Sequence, residues 1–241
     1  MDIPSEMQHQ VMGYDRAATM FSPDGHLLQV EYAEKTVRLG SASIGIVCKD
    51  GVVIIADKRI RDKLISPESA HKIFEVDYHI MISFAGMLAD ARILMDGAQI
   101  LAQQNRVTYG EPAEPVAIIR MIADRQQAFT QYGGARPFGV AVMLAGIKKG
   151  KPHLYTSDVT GNYFAYKANA IGENDEKIKE ILRRDLKEDL TIDEGIKFGL
   201  KIFREIHEKN FDINRFEVGI IRNSDEKLER LQGEQLKKFA K

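Results

Sequence analysis

The chain has 241 residues, enough for one large domain or two small ones with a substantial buried core. Its 34 basic and 35 acidic residues nearly cancel, and no lysine- and arginine-rich block is interleaved with aromatic residues, which argues against a nucleic-acid partner. The single cysteine, Cys48, sits among apolar residues and cannot form an internal disulfide. We expect it to be buried and inert, in a protein of a reducing compartment.

The first residues give no indication of export or of membrane insertion. They include Asp2 and Glu6 and lack the apolar core of a signal peptide. No apolar run in the chain approaches the roughly 20 residues that a membrane span requires. We therefore expect a cytoplasmic protein, in which residues 1–13 are polar, without a usable period, and mobile.

A proline turn and an amphipathic helix come next. In the turn at 22–25, Pro23 takes the second position and Gly25 the fourth, as type I turns prefer. The apolar residues after it recur at helical spacing and mark one side of a helix. They are Leu27, Val30, Ala33 and Val37. Gly40 is predicted to end this helix.

The remaining elements come in blocks. Strands are predicted at 43–49, 52–58, 72–76, 79–84, 139–147, 153–157, 163–168 and 216–222. Helices are predicted after Gly86 and at 114–132, 175–186 and 192–209, the last one opened by a capping box of Thr191 and Glu194. The charged segment from Asp225 onward is predicted as a loose surface helix. Blocks of strands and pairs of helices favour an α+β class, with antiparallel sheets covered by helix pairs, over a doubly wound parallel sheet.

Metal and phosphate sites find no support in the sequence. The six histidines are scattered, and none shares a metal-ligand spacing with Cys48 or with another histidine. The pair Gly133-Gly134 lacks the preceding strand and following helix of a phosphate-binding loop. We therefore expect no metal and no cofactor. No linker-like stretch or internal repeat interrupts the chain, which predicts a single domain over 1–241.

Five segments, in their order and spacing, closely resemble the proteasome α-type subunits. The segments are YDRA at 14–17, FSPDG at 21–25, QVEYA at 29–33, GMLADAR at 86–92 and TQYGGARPFGVA at 130–141. The resemblance covers about residues 14–222. It implies the proteasome subunit fold, also called the N-terminal-nucleophile hydrolase fold: a four-layer αββα sandwich of two antiparallel sheets between helix layers. It also implies that 1–13 is a gate segment and that 223–241 is a charged C-terminal tail.

The resemblance further implies that the chain is not a catalyst. Catalytic subunits of the family use an N-terminal threonine whose own amine is the base, which requires a free N-terminus at the nucleophile. Ser41 falls at the nucleophile position and Asp57 at that of its acidic partner. The expected lysine position holds Ile73, which cannot carry charge. Ser41 is therefore predicted to be an ordinary hydroxyl at the start of a strand.

Asp57 is accordingly predicted to be a structural carboxylate near Arg59 or Lys58. Two alternatives stay open at this point. One is a self-processing hydrolase that cleaves itself between Gly40 and Ser41, a glycine–nucleophile junction like that of the catalytic subunits. The other is a monomeric binding module of the same fold.

Two groups of binding residues follow from the resemblance, position by position. The first is a pocket between subunits that receives the C-terminal tail of an activator, with a lysine for the tail carboxylate. It consists of Lys72, Gly40, Leu27 and Gly86. The second is a cluster that holds the gate open. It consists of Tyr14, Asp15, Pro23 and Tyr32.

The implied function is that of an outer-ring subunit of the proteasome core particle. Seven-membered α rings are expected to cap rings of catalytic β subunits and to template their assembly. ATPase activators are expected to dock on the α ring through their C-terminal tails. The ring would gate substrate entry to the proteolytic chamber and so support ATP-dependent protein degradation.

Overall fold

The structure, a computed structural model, describes residues 13–60, 62, 64–66 and 69–239, except for the side chain of Asp15. Within this part of the chain, ten strands form two five-stranded antiparallel sheets. The first sheet contains β1 (Ser43–Cys48), β2 (Gly51–Asp57), β8 (Ala168–Ile171), β9 (Phe216–Arg222) and β10 (Leu228–Gln232), in the spatial order β10-β9-β2-β1-β8. The second contains β3 (Ile73–Asp77), β4 (Ile80–Gly86), β5 (Val140–Lys148), β6 (Lys151–Ser157) and β7 (Tyr163–Ala165), in chain order.

Five α-helices within the described residues complete the fold. They are α1 (Leu28–Leu39), α2 (Leu88–Tyr109), α3 (Pro115–Phe129), α4 (Asp175–Asp185) and α5 (Ile192–His207). Helices α4 and α5 cover the first sheet, and α2 and α3 cover the second. The predicted capping box is confirmed at the start of α5, where Thr191 and Glu194 exchange side-chain-to-backbone hydrogen bonds.

Three apolar layers hold the sandwich together, one between the sheets and one under each helix pair. Strand β2 contributes to two of them because successive side chains point to opposite faces. Val53 and Ile55 face the α4–α5 side, whereas Val52 and Ile54 face the other sheet. The strand is buried on both faces, which explains its continuous run of apolar residues. The predicted four-layer αββα sandwich is confirmed.

Two local predictions were wrong. The segment 163–168 is not one strand, because β7 belongs to the second sheet and β8 to the first. The backbone crosses between the sheets here: Tyr166 donates to the Leu154 carbonyl in one sheet, while the Lys167 carbonyl accepts from Val47 in the other.

The segment after Arg222 is also not a loose surface helix. It forms β10 along the edge of the first sheet and then a 3₁₀ helix, Gly233–Phe239. Leu231, Leu236 and Phe239 are buried against the core under α5. These few apolar side chains dock a segment whose charged composition suggested exposure.

The described residues contain no helix that is both long and apolar enough to span a membrane. In the same part of the chain, His, Cys, Asp and Glu side chains do not gather in groups of three or more suited to a metal ion. Cys48 is buried, and burial raises the pKa of its thiol to about 12. The thiol is therefore inert at neutral pH, as the sequence predicted.

Candidate functional site

Helix α1 runs directly into β1 and packs against β4 and β5. The end of α1 lies close to β4 because glycines line the contact between them. A Cβ on Gly40 would lie 2.2 Å from the backbone nitrogen of Gly86. Gly86 has a φ of 118°, and a Cβ there would lie 2.1 Å from the carbonyl oxygen of Gly139. No larger residue fits at either position without moving backbone.

Lys72 brings its amine to the end of α1. Its Nζ donates to both the hydroxyl and the carbonyl oxygen of Ser41, the residue after Gly40. Only 7% of Lys72 is exposed. Burial lowers the pKa of Lys72 from 10.5 to about 7; the negative charge of Asp57 opposes this shift and the positive charge of Arg59 adds to it.

This contact corrects the prediction that Ser41 has no lysine. The resemblance assigned the lysine position to Ile73, but Ile73 is fully buried between the sheets, where it packs against Gly219. Lys72 precedes the first residue of β3, and its side chain reaches Ser41, which lies just before β1 of the first sheet. The Ser41 hydroxyl therefore does have a lysine amine as its partner, that of Lys72, the residue before Ile73.

Asp57 is a structural carboxylate, as predicted, although its main partner differs. Its side chain is 1% exposed and accepts from the backbone N–H of Arg59 at 3.0 Å. The guanidinium of Arg215 donates to both carboxylate oxygens, at 3.2 and 2.6 Å. Lys58 instead donates to Gln232, and the guanidinium of Arg59 pairs with Glu173. Asp57 therefore fixes the end of β2 through these hydrogen bonds.

The predicted pocket residues fall into two places within one chain. Gly40, Gly86 and Lys72 lie together, at the end of α1. Leu27 precedes the first residue of α1, and the 12 residues of that helix span about 18 Å. Leu27 is half-buried there, packed beside the small apolar cluster that contains Val159. A single chain therefore assembles three of the four predicted residues.

The structure describes the side chains of three of the four residues in the predicted gate cluster. Tyr14 opens a 3₁₀ turn, Tyr14–Arg16, that contacts α1. Pro23 is exposed in the predicted turn, which a hydrogen bond from Gly25 N–H to the Ser22 carbonyl closes at 2.9 Å. Tyr32 is half-buried on α1. The side chain of Asp15 and residues 1–12 of the predicted gate segment lie outside the described residues.

Sequence reasoning missed a buried carboxylate next to Lys72. Glu217, on β9, is fully buried, and its Oε2 accepts from the backbone N–H groups of Lys72 at 2.9 Å and Ile73 at 3.3 Å. Its Oε1 lies 3.2 Å from Nδ1 of His71. One signal was available, since Glu217 is the charged residue inside the otherwise apolar run FEVGII. Its hydrogen-bond partners, about 145 residues earlier in the chain, could not be predicted from the sequence.

Comparison with known proteins identifies the family. A family model described as "Proteasome subunit" matches residues 37–221, and a second model, for the N-terminal signature of A-type proteasome subunits, matches residues 14–35. The chain belongs to the proteasome α-subunit family. The resemblance predicted from the five sequence segments is therefore confirmed. The signature spans the turn at Tyr14, the turn at Pro23 and most of α1.

Similar relatives, matched over most of their length, support the assignment. The proteasome alpha subunit of Pyrococcus abyssi is 46% identical over 227 residues, which cover 94% of this chain and 86% of the relative. The protein of the same name from Methanosarcina acetivorans is 43% identical over 228 residues, covering 95% and 92%. That of Methanococcus maripaludis is 42% identical over 233 residues, covering 95% and 88%.

Proposed function

We propose that this chain is a non-catalytic α subunit of a cytoplasmic proteasome core particle. One observation carries the proposal: α1 packs against β4 and β5 in front of Ser41, and Gly40 lies in close backbone contact with Gly86. The N-terminal-nucleophile mechanism needs a free amine on the nucleophile. Here the nitrogen of Ser41 is in a peptide bond with Gly40, whose carbonyl accepts from Glu173 at 2.8 Å. The junction is part of the folded structure.

The site at Lys72 is suited to binding a carboxylate. A lysine ammonium has three N–H donors. Two point to Ser41, and no other acceptor for Lys72 Nζ is found among the described residues. The third is available for the C-terminal carboxylate of an activator tail. Charge-assisted bonds of this kind are about twice as strong as neutral ones, and several tails on one ring gain further through effective concentration.

The separation of Leu27 from the other pocket residues favours a ring. Because about 18 Å of helix lies between Leu27 and Gly40, the two cannot line one small pocket within a single chain. In our proposal, Leu27 of one subunit meets Lys72, Gly40 and Gly86 of its neighbour in a seven-membered ring. Each docking pocket is then complete only after assembly.

An exposed apolar stripe on α2 is proposed to contact the catalytic β ring and to template its assembly. Ile93, Ile100 and Val107 are spaced by seven residues, which places them on one side of the helix. All three are exposed, Val107 by 87%. A row of apolar side chains on the surface of a subunit marks a protein–protein contact more often than a solvated face.

Residues 1–13 are proposed to be the gate of the axial pore. Tyr14, Asp15 and Tyr32 would hold its open state through hydrogen bonds between neighbouring subunits, each contributing about 0.5–1.5 kcal/mol, while Pro23 fixes a turn that moves as a unit. The turn at Tyr14 contacts α1 and the turn at Pro23 precedes it, so both turns would move with that helix.

The alternative, a self-processing hydrolase cleaved at Gly40-Ser41, has one observation in its favour. Lys72 places an amine with a lowered pKa on the Ser41 hydroxyl, as a base for a serine nucleophile would be. The two functions differ in the intact mass of the purified chain. Cleavage at this junction removes residues 1–40, whereas an α subunit keeps them.

The proposed function is tested with Lys72→Ala in a core particle reconstituted with catalytic β subunits. We expect the particle to assemble and the ratio of activator-stimulated to unstimulated proteolysis to fall to about one. Lys167→Ala is the control, because Lys167 is exposed and pairs with exposed Glu188. Full stimulation of the Lys72→Ala particle would refute the pocket assignment.

A further inference from the structure

Glu217 ties the two sheets together at the residue that carries the docking amine. It lies on β9 of the first sheet, paired with Ala56 of β2 and Gln232 of β10. Val218 faces the α5 side, so Glu217 faces the second sheet. There its carboxylate accepts from the backbone N–H groups of Lys72 and Ile73.

These N–H groups need such a partner because of where they lie. Strand β3 is at the edge of the second sheet, and its pairing with β4 begins at Ile73 and Ser83. Lys72 precedes that first pair, so the ladder offers no acceptor for its N–H. A buried carboxylate is unfavourable unless it is hydrogen-bonded. Glu217 and the backbone at Lys72 therefore satisfy each other.

Lys72 is thus held at both ends. Glu217 fixes its backbone, and the hydroxyl and carbonyl of Ser41 fix its amine. A free lysine side chain loses much rotamer freedom when it binds a ligand, and that loss weakens binding. The Lys72 amine is already fixed and has one N–H group available for a ligand, so binding costs it little further rotamer freedom.

We infer that Glu217 and Ser41 are positioning residues for the activator pocket, which hold the Lys72 amine in the orientation that receives a C-terminal carboxylate. This inference rests on the proposed docking role of Lys72. Neither residue is proposed to contact the tail carboxylate itself. Glu217 acts through the backbone of Lys72, and the Ser41 hydroxyl acts through the amine.

The test measures preference for a carboxylate rather than affinity alone. The probe is a short fluorescent peptide copied from the C-terminus of an ATPase activator, with either a free carboxylate or a C-terminal amide. Its binding to assembled core particles is measured by fluorescence anisotropy. The ratio of the two affinities reports the Lys72 contact, since both peptides share all other contacts.

Glu217→Gln retains the shape of the side chain but removes its charge, and Ser41→Ala removes only a half-exposed hydroxyl. We expect each to lower the carboxylate-over-amide ratio by about tenfold, the scale of one charge-assisted hydrogen bond. Ser41→Ala keeps the inference testable if Glu217→Gln does not assemble. Asp77→Asn is the matched control, because Asp77 is a 10%-exposed carboxylate at the opposite end of β3. It is expected to leave the ratio unchanged.

Lys72→Ala in the same assay separates positioning from docking. A ratio near one for Lys72→Ala, with a wild-type ratio for Glu217→Gln and Ser41→Ala, would overturn the positioning inference and leave the pocket in place. A wild-type ratio for Lys72→Ala would instead overturn the pocket itself. An equal loss in Asp77→Asn and Glu217→Gln would also count against positioning, because it would indicate a general effect of destabilising β3.

Discussion

Docking through Lys72 should depend on pH in a range where lysines normally do not titrate. Burial lowers the pKa of Lys72 from 10.5 to about 7. The ammonium that binds a carboxylate exists below this pKa and is lost above it. For a pKa of about 7, about nine tenths of the amines are protonated at pH 6 and about one tenth at pH 8. The carboxylate of the tail stays ionised throughout, since its pKa is about 3.5.

The affinity of a single tail peptide should therefore fall by about tenfold between pH 6 and pH 8. Fluorescence anisotropy with the carboxylate peptide measures this on the assembled particle, and Lys72→Ala serves as the control with weak, pH-independent binding. An affinity that stays constant up to pH 9 would refute the reasoning, because Lys72 would then keep its charge despite its burial. The same pH slope in Lys72→Ala would assign the titration to another group.

Three further predictions concern packing, the buried charge network and the gate. Gly86→Ala should lower the free energy of unfolding by about 3 kcal/mol or more, because the new Cβ meets the Gly139 carbonyl. Gly133 has open space around it, so Gly133→Ala should change the free energy of unfolding by no more than about 1 kcal/mol. Thermal unfolding measures both, and equal midpoints would contradict the close contact. Asp57→Asn should cost about 3–5 kcal/mol in urea unfolding by leaving Arg215 without its buried partner; a cost below about 1 kcal/mol would mean that solvent screens the pair. Deleting residues 2–13 should raise peptide hydrolysis in the absence of activator, and an unchanged rate would count against the gate.

Most of the fold was predictable because its signals are local. The limits of β1, β2, β9 and α5 follow from apolar runs and a capping box, and the predicted limits differ from the structure by at most two residues at either end. The separation of β7 from β8 was not predictable. It depends on backbone hydrogen bonds to Leu154 and Val47, which are distant in the chain, and the local sequence is compatible with one strand.

The family resemblance singled out three residues that the structure brings together, Lys72, Gly40 and Gly86, but it did not predict their contacts. The resemblance assigned Lys72 to the activator pocket and Ile73 to the position of the lysine that would face Ser41. In the structure Ile73 is buried in the core between the sheets, and the amine of Lys72, the residue before it, contacts Ser41. The sequence marks Glu217 only as a charged residue inside an apolar run, and its hydrogen-bond partners depend on the packing of one sheet on the other.

The central claim is that this chain is an uncleaved, ring-forming α subunit. Native mass spectrometry of the purified chain tests it most directly. We predict a ring, single or stacked, of full-length 27.2 kDa subunits, about 190 kDa for a seven-membered ring. A chain that has lost its first 40 residues would contradict this claim, because cleavage at Gly40-Ser41 frees the amine that a nucleophilic serine requires.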